Sequence, residues 1–274
     1  MKIVKNIFSI ILSFALVIAI IATTLTTYIN RMLQKDYILE KFDEIDIYSQ
    51  VLMEIQDYFE NYIYQSGMGK EVIENICTKE KVKSDIKTAI YALYSQRTVE
   101  IDTKEIEEKL DQEINTFIGR ENRKISKEEE KNIKNFKSAI VKAYKSGIEY
   151  YQITTESTRK ELAKVLNTLE KAKSISKNAT IALIIILLII NVKSIFNGIN
   201  YISISLLSSG IVLLLINWLI NSKFQIDNFM ISINSLTNAF TTIIRACLDS
   251  IVSVGMWTVL FGIIGILLVS IKKI

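Results

Sequence analysis

The stretch Asn6–Asn30, NIFSIILSFALVIAIIATTLTTYIN, contains no Asp, Glu, Lys or Arg. Lys2 and Lys5 precede it and Arg31 follows it. A helix needs about 20 apolar residues to cross the hydrocarbon core of a bilayer, so this run is long enough. Three more uncharged stretches follow: Asn178–Val192, Ser194–Ser222 and Ser250–Ile271. Each is fenced by charged residues, and together they predict an integral membrane protein with the lipid bilayer as its first partner. A large polar insertion, Arg31–Lys177, separates the first stretch from the second.

The expected fold is all-α: four transmembrane helices plus a membrane-proximal helical-bundle domain inserted between the first and second. Residues 1–30 form the first crossing and 31–177 the extracytoplasmic domain. Residues 178–222 form a hairpin of crossings two and three. Residues 223–249 are amphipathic, and 250–274 hold the fourth crossing with a short cytoplasmic tail. The second crossing is the short one. Only 15 residues lie between Lys177 and Lys193, about 22 Å of helix. The two lysines can snorkel to the headgroups and extend that span. Asn191 and Asn197–Gly198 mark the turn into the third crossing.

Of the 33 Lys and Arg, only seven lie outside Arg31–Lys177: Lys2, Lys5, Lys193, Lys223, Arg245, Lys272 and Lys273. Outside the insertion the acids are Asp227 and Asp249. The positive excess therefore flanks membrane segments and gives no basic face for nucleic acid. Short-loop lysines at 2, 5, 193, 272 and 273 favour cytoplasmic termini, which leaves residues 31–177 outside the cell. Lys171, Lys173 and Lys177 sit against that assignment. The first stretch is longer than the apolar core of a signal peptide, and no A-x-A pattern precedes Tyr28, so an uncleaved anchor is expected.

Helical periodicity runs through the insertion. Ile38, Phe42, Ile45, Tyr48, Leu52, Ile55, Phe59 and Tyr62 form one stripe, ended by Gly67 and Gly69. Ile86, Ile90, Tyr91 and Tyr94 form another after Lys79. Val99–Ile101 reads as a short extended link. Asp102-Thr-Lys-Glu105 resembles a capping box and opens a helix that Gly119 is expected to stop. Ser126-Lys-Glu-Glu129 opens the next, ending near Gly147, and Thr158-Arg-Lys-Glu161 the last. At this length the insertion can bury its own core. Ten of the 12 tyrosines fall between Tyr37 and Tyr151. Core packing is their expected use, a carbohydrate-stacking surface the other.

Residues 223–249 carry Ile226, Phe229, Ile233, Leu236, Phe240, Ile243 and Cys247 on one helical face. The segment can lie in the interface, pack beneath the polar domain, or extend crossing four. Crossing four itself carries Gly255, Thr258, Gly262 and Gly265 at spacings of three and four, as close helix packing requires. Ser205 and Ser209 offer a matching small pair on crossing three. An internal packing seam is expected there, with a homo-oligomer interface as the alternative. Trp218 and Trp257 fall toward the outer ends.

The catalytic search is negative. Histidine is absent, removing the usual general base and the commonest metal ligand. Ser66-Gly-Met-Gly-Lys70 fails as a phosphate loop: Tyr64 replaces its first glycine, and Glu71 the Ser or Thr. Glu128–Glu130 is simplest as a first-turn acidic cluster. Glu54, Asp57 and Glu60 are the remaining carboxylates that geometry could pair. Cys77 and Cys247 are two unpaired thiols or one bridge, too few for a zinc site. No charged residue lies inside the four stretches, which argues against a transporter acting alone. No catalytic, cofactor or metal residue is expected.

The pattern Ile47-Tyr-Ser-Gln-Val, Asp57-Tyr-Phe-Glu-Asn-Tyr-Ile63, Gly67 and Val99-Glu-Ile-Asp-Thr103 resembles a family of uncharacterised multi-pass membrane proteins of low-GC Gram-positive bacteria. The resemblance implies an N-terminal anchor, an extracytoplasmic helical domain and further crossings in a bacterial cell membrane; it carries over no functional residue. The functional expectation is a non-enzymatic protein whose external domain binds a membrane or cell-envelope partner. The alternative is a sensor or accessory subunit of a transporter or signalling complex.

Overall fold

The structure, a computed structural model, describes residues 2–66, 68–95, 97–121, 125–151, 156–224, 226 and 233–272. Among these it is all-helical, with ten α-helices and no strand. The helices are α1 (Lys2–Met32), α2 (Lys35–Glu44), α3 (Ile47–Ser66), α4 (Glu71–Glu74), α5 (Lys79–Tyr94), α6 (Lys104–Glu121), α7 (Lys127–Glu149), α8 (Glu156–Ile190), α9 (Ile195–Phe224) and α10 (Asn234–Ile271). Four are long and apolar enough to cross a membrane: α1, α8, α9 and α10. The chain divides into two compact units, one of residues Met1–Ile38 with Lys164–Ile274, the other Leu39–Ala163.

In the first unit, hereafter the apolar unit, α9 and α10 make the most extensive contact, and α1 packs against both. A three-residue 3-10 turn, Val192–Ser194, joins α8 to α9. Gly198 lies at that corner, where a Cβ would stand 3.2 Å from Leu187 O. The interior holds two small clusters. Leu16 and Ile20 of α1 meet Leu187 of α8, and Leu213 of α9 meets Cys247 and Ile251 of α10. Large apolar side chains also cover the outside, among them Phe14, Ile185, Leu215, Phe261 and Leu268. An outer surface of that kind suits lipid better than water. Of the three paths open to residues 223–249, residues 234–249 take the third: they belong to α10, which runs unbroken from Asn234 to Ile271.

In the second, polar unit, α3 lies against α5 and α7, and α6 against α4 and α7. Its core is made of large side chains that are almost fully buried: Ile47, Ile55, Phe59, Ile86, Ile106, Leu110, Ile140, Tyr144 and Ile148. The stripe from Ile38 to Tyr62 is not one helix. It breaks between α2 and α3 at Asp46, whose φ of 49° is left-handed. Asp46 is one of the few side chains that tolerate this region, and here its carboxylate accepts from Ser49 Oγ at 2.8 Å and Lys79 Nζ at 2.7 Å. Ser126 and Glu129 form the expected reciprocal capping box at α7. At α6 the cap is shifted by one residue: Lys104 N donates to Asp102 Oδ1, and Thr103 Oγ1 donates to Glu107 rather than Glu105.

Two glycines expected as helix stops lie inside helices. Gly119 precedes the end of α6 and has open space around it. Gly147 sits where α7 crosses α3, and a Cβ there would come within 2.7 Å of Ile55 Cγ1. The expected stop at Gly67 lies outside the described residues, although α3 does end at Ser66.

Candidate functional site

α10 presents Gly255, Thr258 and Gly262 to α9 across a seam with almost no side-chain thickness. A Cβ added at Gly210 would lie 2.6 Å from Gly255 O and 2.6 Å from Thr258 Oγ1. At Gly262 it would lie 2.6 Å from Leu207 N and 2.8 Å from Ser203 O. At Gly265 it would run into Ser203 Oγ. Only glycine permits this backbone approach. Thr258 turns its hydroxyl back to Gly255 O at 2.8 Å, so its polar atom is satisfied within its own helix.

The side of α9 that meets these glycines is Ser203, Leu207 and Gly210. Ser205, expected there, instead faces α1. Its hydroxyl donates to Ser13 O at 2.9 Å and lies 2.7 Å from Ser13 Oγ, which reaches Tyr201 O at 3.1 Å. Ser209 is fully buried and donates to Leu206 O at 2.9 Å. Ser205, one of the expected small pair on α9, therefore splits from the α10 glycines. Two residues along a helix turn a side chain by about 200°, which separates Ser203 from Ser205. Ser203 with Gly210, seven apart, carried the correct signal.

A second polar feature escaped the sequence reading. Side chains of α1 meet those of α8 and of Asn191 just beyond its end in a ladder: Asn191 Nδ2 donates to Ser9 Oγ at 3.2 Å, and Thr23 Oγ1 lies 3.1 Å from Thr180 Oγ1. Thr26 Oγ1 lies 3.4 Å from Ser176 Oγ, and Asn30 Nδ2 donates to Glu170 Oε2 at 2.6 Å. Numbers rise along α1 as they fall along α8, so the helices are antiparallel. Their backbones stay farther apart than those of α9 and α10, and the polar side chains span the gap.

The polar unit holds a nearly buried charge network. Asp85 accepts from Lys81 Nζ at 2.9 Å and from Tyr144 OH at 2.6 Å, while Lys81 also donates to Asp102 O at 2.9 Å. The side chains of Lys81 and Asp85 are only 13% and 11% exposed. A buried ion pair survives only when its remaining donors and acceptors are met, as here. Burial, then the hydrogen bond to Asp85, holds the Tyr144 hydroxyl far above the usual phenol range. Burial pushes the Cys77 thiol up to about 12, with the charge of Asp85 acting the same way. A thiol so protonated is a packing group and a poor nucleophile. Both cysteines are buried and free.

The other sequence candidates disperse. Lys70 of the failed phosphate loop pairs with Glu60 at 3.0 Å. Glu129 serves its helix cap. Among the described residues, no group of three or more His, Cys, Asp or Glu side chains is arranged to hold a metal ion. Two hollows remain. One, of about 500 Å³, runs along α10 beside Asp249, Ser253, Met256 and Trp257. The other, of about 270 Å³, lies between α3 and α7 and is lined by Tyr62, Ser66, Asn132, Asn135, Phe136 and Ala139.

No family model, curated protein or solved structure matches the chain, so what it does must be argued from its own residues.

Proposed function

We propose that this chain is a non-enzymatic multi-pass membrane protein whose polar helical unit, inserted between the first and second crossings, binds a partner or cell-envelope component outside the cytoplasm. The observation that carries this reading is the contrast in surfaces. The apolar unit exposes large hydrocarbon side chains along helices long enough to span lipid. The polar unit has a core of its own and an outside laced with ion pairs such as Lys109–Glu105 and Lys83–Asp43. A self-sufficient polar module in a chain whose four apolar stretches hold no Asp, Glu, Lys or Arg supports recognition rather than transport. Both termini are cytoplasmic in this proposal, residues 31–177 extracytoplasmic, and the setting a low-GC Gram-positive cell membrane.

Cysteines engineered across residues 100–130, with Cys77 and Cys247 buried as background, test the placement. An impermeant thiol reagent should label them in intact cells; labelling only after lysis would invert the topology. Crosslinking in cells followed by purification should then recover a partner, peptide or glycan on the polar unit. Recovery of none of these from correctly oriented protein removes the binding role.

A further inference from the structure

The cleft between α3 and α7 has a chemical character unlike the surface around it. Tyr62 and Ser66 stand one turn apart on α3, and Asn132 and Asn135 share a face of α7. Phe136, only 4% exposed, and Ala139 form an apolar floor between them. Among the described residues no charged side chain lines the hollow, although Glu60 of α3 pairs with Lys70 and Lys137 of α7 pairs with Asp111 of α6. Ser66 is committed: it donates to Ile63 O at 3.0 Å and accepts from Met68 N at 3.2 Å. The Tyr62 hydroxyl and both carboxamides have no intramolecular hydrogen-bond partner among the described residues.

We propose that this cleft is a binding site for one ring of a neutral carbohydrate. A pyranose has an apolar C–H face and a rim of hydroxyls, each both donor and acceptor. A carboxamide answers such a rim from one side chain, with two N–H donors and a carbonyl acceptor, and two of them lie three residues apart. Tyr62 adds an amphipathic ring with a polar tip. The volume, about 270 Å³, falls just under the range usual for drug-sized ligands and suits a single ring. Among the described lining residues an ionic ligand would find no countercharge, and a long apolar one would strand the three polar groups. The assignment rests on the polar unit being a recognition module, and it names the class of component recognised.

The test uses the full chain in lipid nanodiscs and saturation-transfer NMR with maltotriose, tri-N-acetylchitotriose and a trialanine peptide. Transfer to the ring protons of at least one sugar is expected at about 10 mM, a concentration that populates a site of millimolar Kd. N132A/N135A should weaken it about tenfold, the loss of one or two net hydrogen bonds. Both residues are exposed, so the fold should survive; an unchanged circular dichroism melt verifies this. Ala139→Leu, which fills the floor, should abolish transfer independently, whereas Asn61→Ala, outside the lining, should leave it intact. Silence from both sugars, transfer from the peptide alone, or transfer indifferent to N132A/N135A and Ala139→Leu each overturns the assignment. If a crosslinked protein partner is still recovered, only the sugar assignment falls and the broader function stands.

Discussion

Where α9 and α10 meet, the residues in contact are Gly210 and Gly255, with Ser203 and Leu207 against Gly262. Where α3 and its neighbours α5 and α7 build the other core, the buried residues are Ile55, Phe59, Ile86, Ile140 and Tyr144. Both regions are helices with contacts recurring every three or four residues. What differs is the size of the side chain placed there. In water, burying a large apolar side chain stabilises by about 1.5–3 kcal/mol, so a polar-surfaced unit gains by using Ile and Phe. Between lipid and protein that gain vanishes, and helices associate through close backbone packing and exchanged hydrogen bonds. The apolar unit shows the second pattern at three contacts, alongside its small Leu and Ile clusters: glycines on α9–α10, serines on α1–α9, hydroxyls and amides on α1–α8.

A matched pair of truncations is the sharpest way to break this contrast. Leu110 and Leu213 are both fully buried, one in each unit. Leu110→Ala should cost about 2–5 kcal/mol, the usual price of a core cavity in water. Leu213→Ala, measured by unfolding in bicelles, should cost distinctly less, because lipid is as apolar as the site vacated. Equal losses would refute the membrane reading of the apolar unit. Next in size comes a pair of glycines. Gly262→Ala forces a Cβ onto the backbone of Leu207 and should destabilise by about 1–3 kcal/mol. Gly119→Ala meets nothing within 4 Å and should stabilise α6 by up to about 1 kcal/mol. Thermal melts in detergent decide both.

Smaller effects sharpen the comparison. Ser205→Ala removes an interhelical donor to Ser13 and should cost about 0.6 kcal/mol, near the mean for such bonds in membranes. A cost several times larger would make the serine pair the dominant clamp on α1. Smallest is the surface of the polar unit. Lys83, hydrogen-bonded to Asp43 at 2.7 Å, holds that carboxyl below its usual range. A folded-state pKa that is depressed adds stability above the ordinary carboxylate value and loses it as pH falls through the depressed one. Asp43→Asn should therefore destabilise by less than about 1 kcal/mol near neutrality, the pair being well exposed, and by nothing in strong acid. A difference persisting at low pH would point to packing instead of charge.

Long apolar runs and reciprocal caps were legible in the sequence because each is local. The crossing-length helices and the Ser126–Glu129 box fall where the residues place them. The break at Asp46 was not legible, since the apolar stripe continues across it; what opens it is a left-handed residue held by Lys79, distant in sequence. Gly147 was misread for the opposite reason. A glycine near a helix end signals a stop, but here α3 passes so close that no side chain fits. The α10 glycines were recognisable as a small-residue face, whereas on α9 Ser205 was named and Ser203 with Gly210, which meet them, were not. Two stripes of small residues share that helix, and choosing between them requires knowing which neighbour lies on which side. The Lys81–Asp85–Tyr144 network was hidden because its members come from α5 and α7, 59 residues apart at its longest link.

The threonines of α1 have a consequence for how the chain is made. Thr23, Thr24 and Thr26 each donate to a carbonyl one turn back, at 2.7, 3.0 and 2.6 Å. Residues 33–155 leave the ribosome between this helix and α8. Throughout that interval the three hydroxyls are already quenched from within, and α1 can rest in hydrocarbon without an unmet donor there. Among the described residues Ser9 and Ser13 donate to no carbonyl of their own helix, and with Asn30 Nδ2 they stay open until their mates arrive. Early solitude at one register and late recognition at the other would let the earlier-made helix of this pair wait, then choose its neighbours correctly.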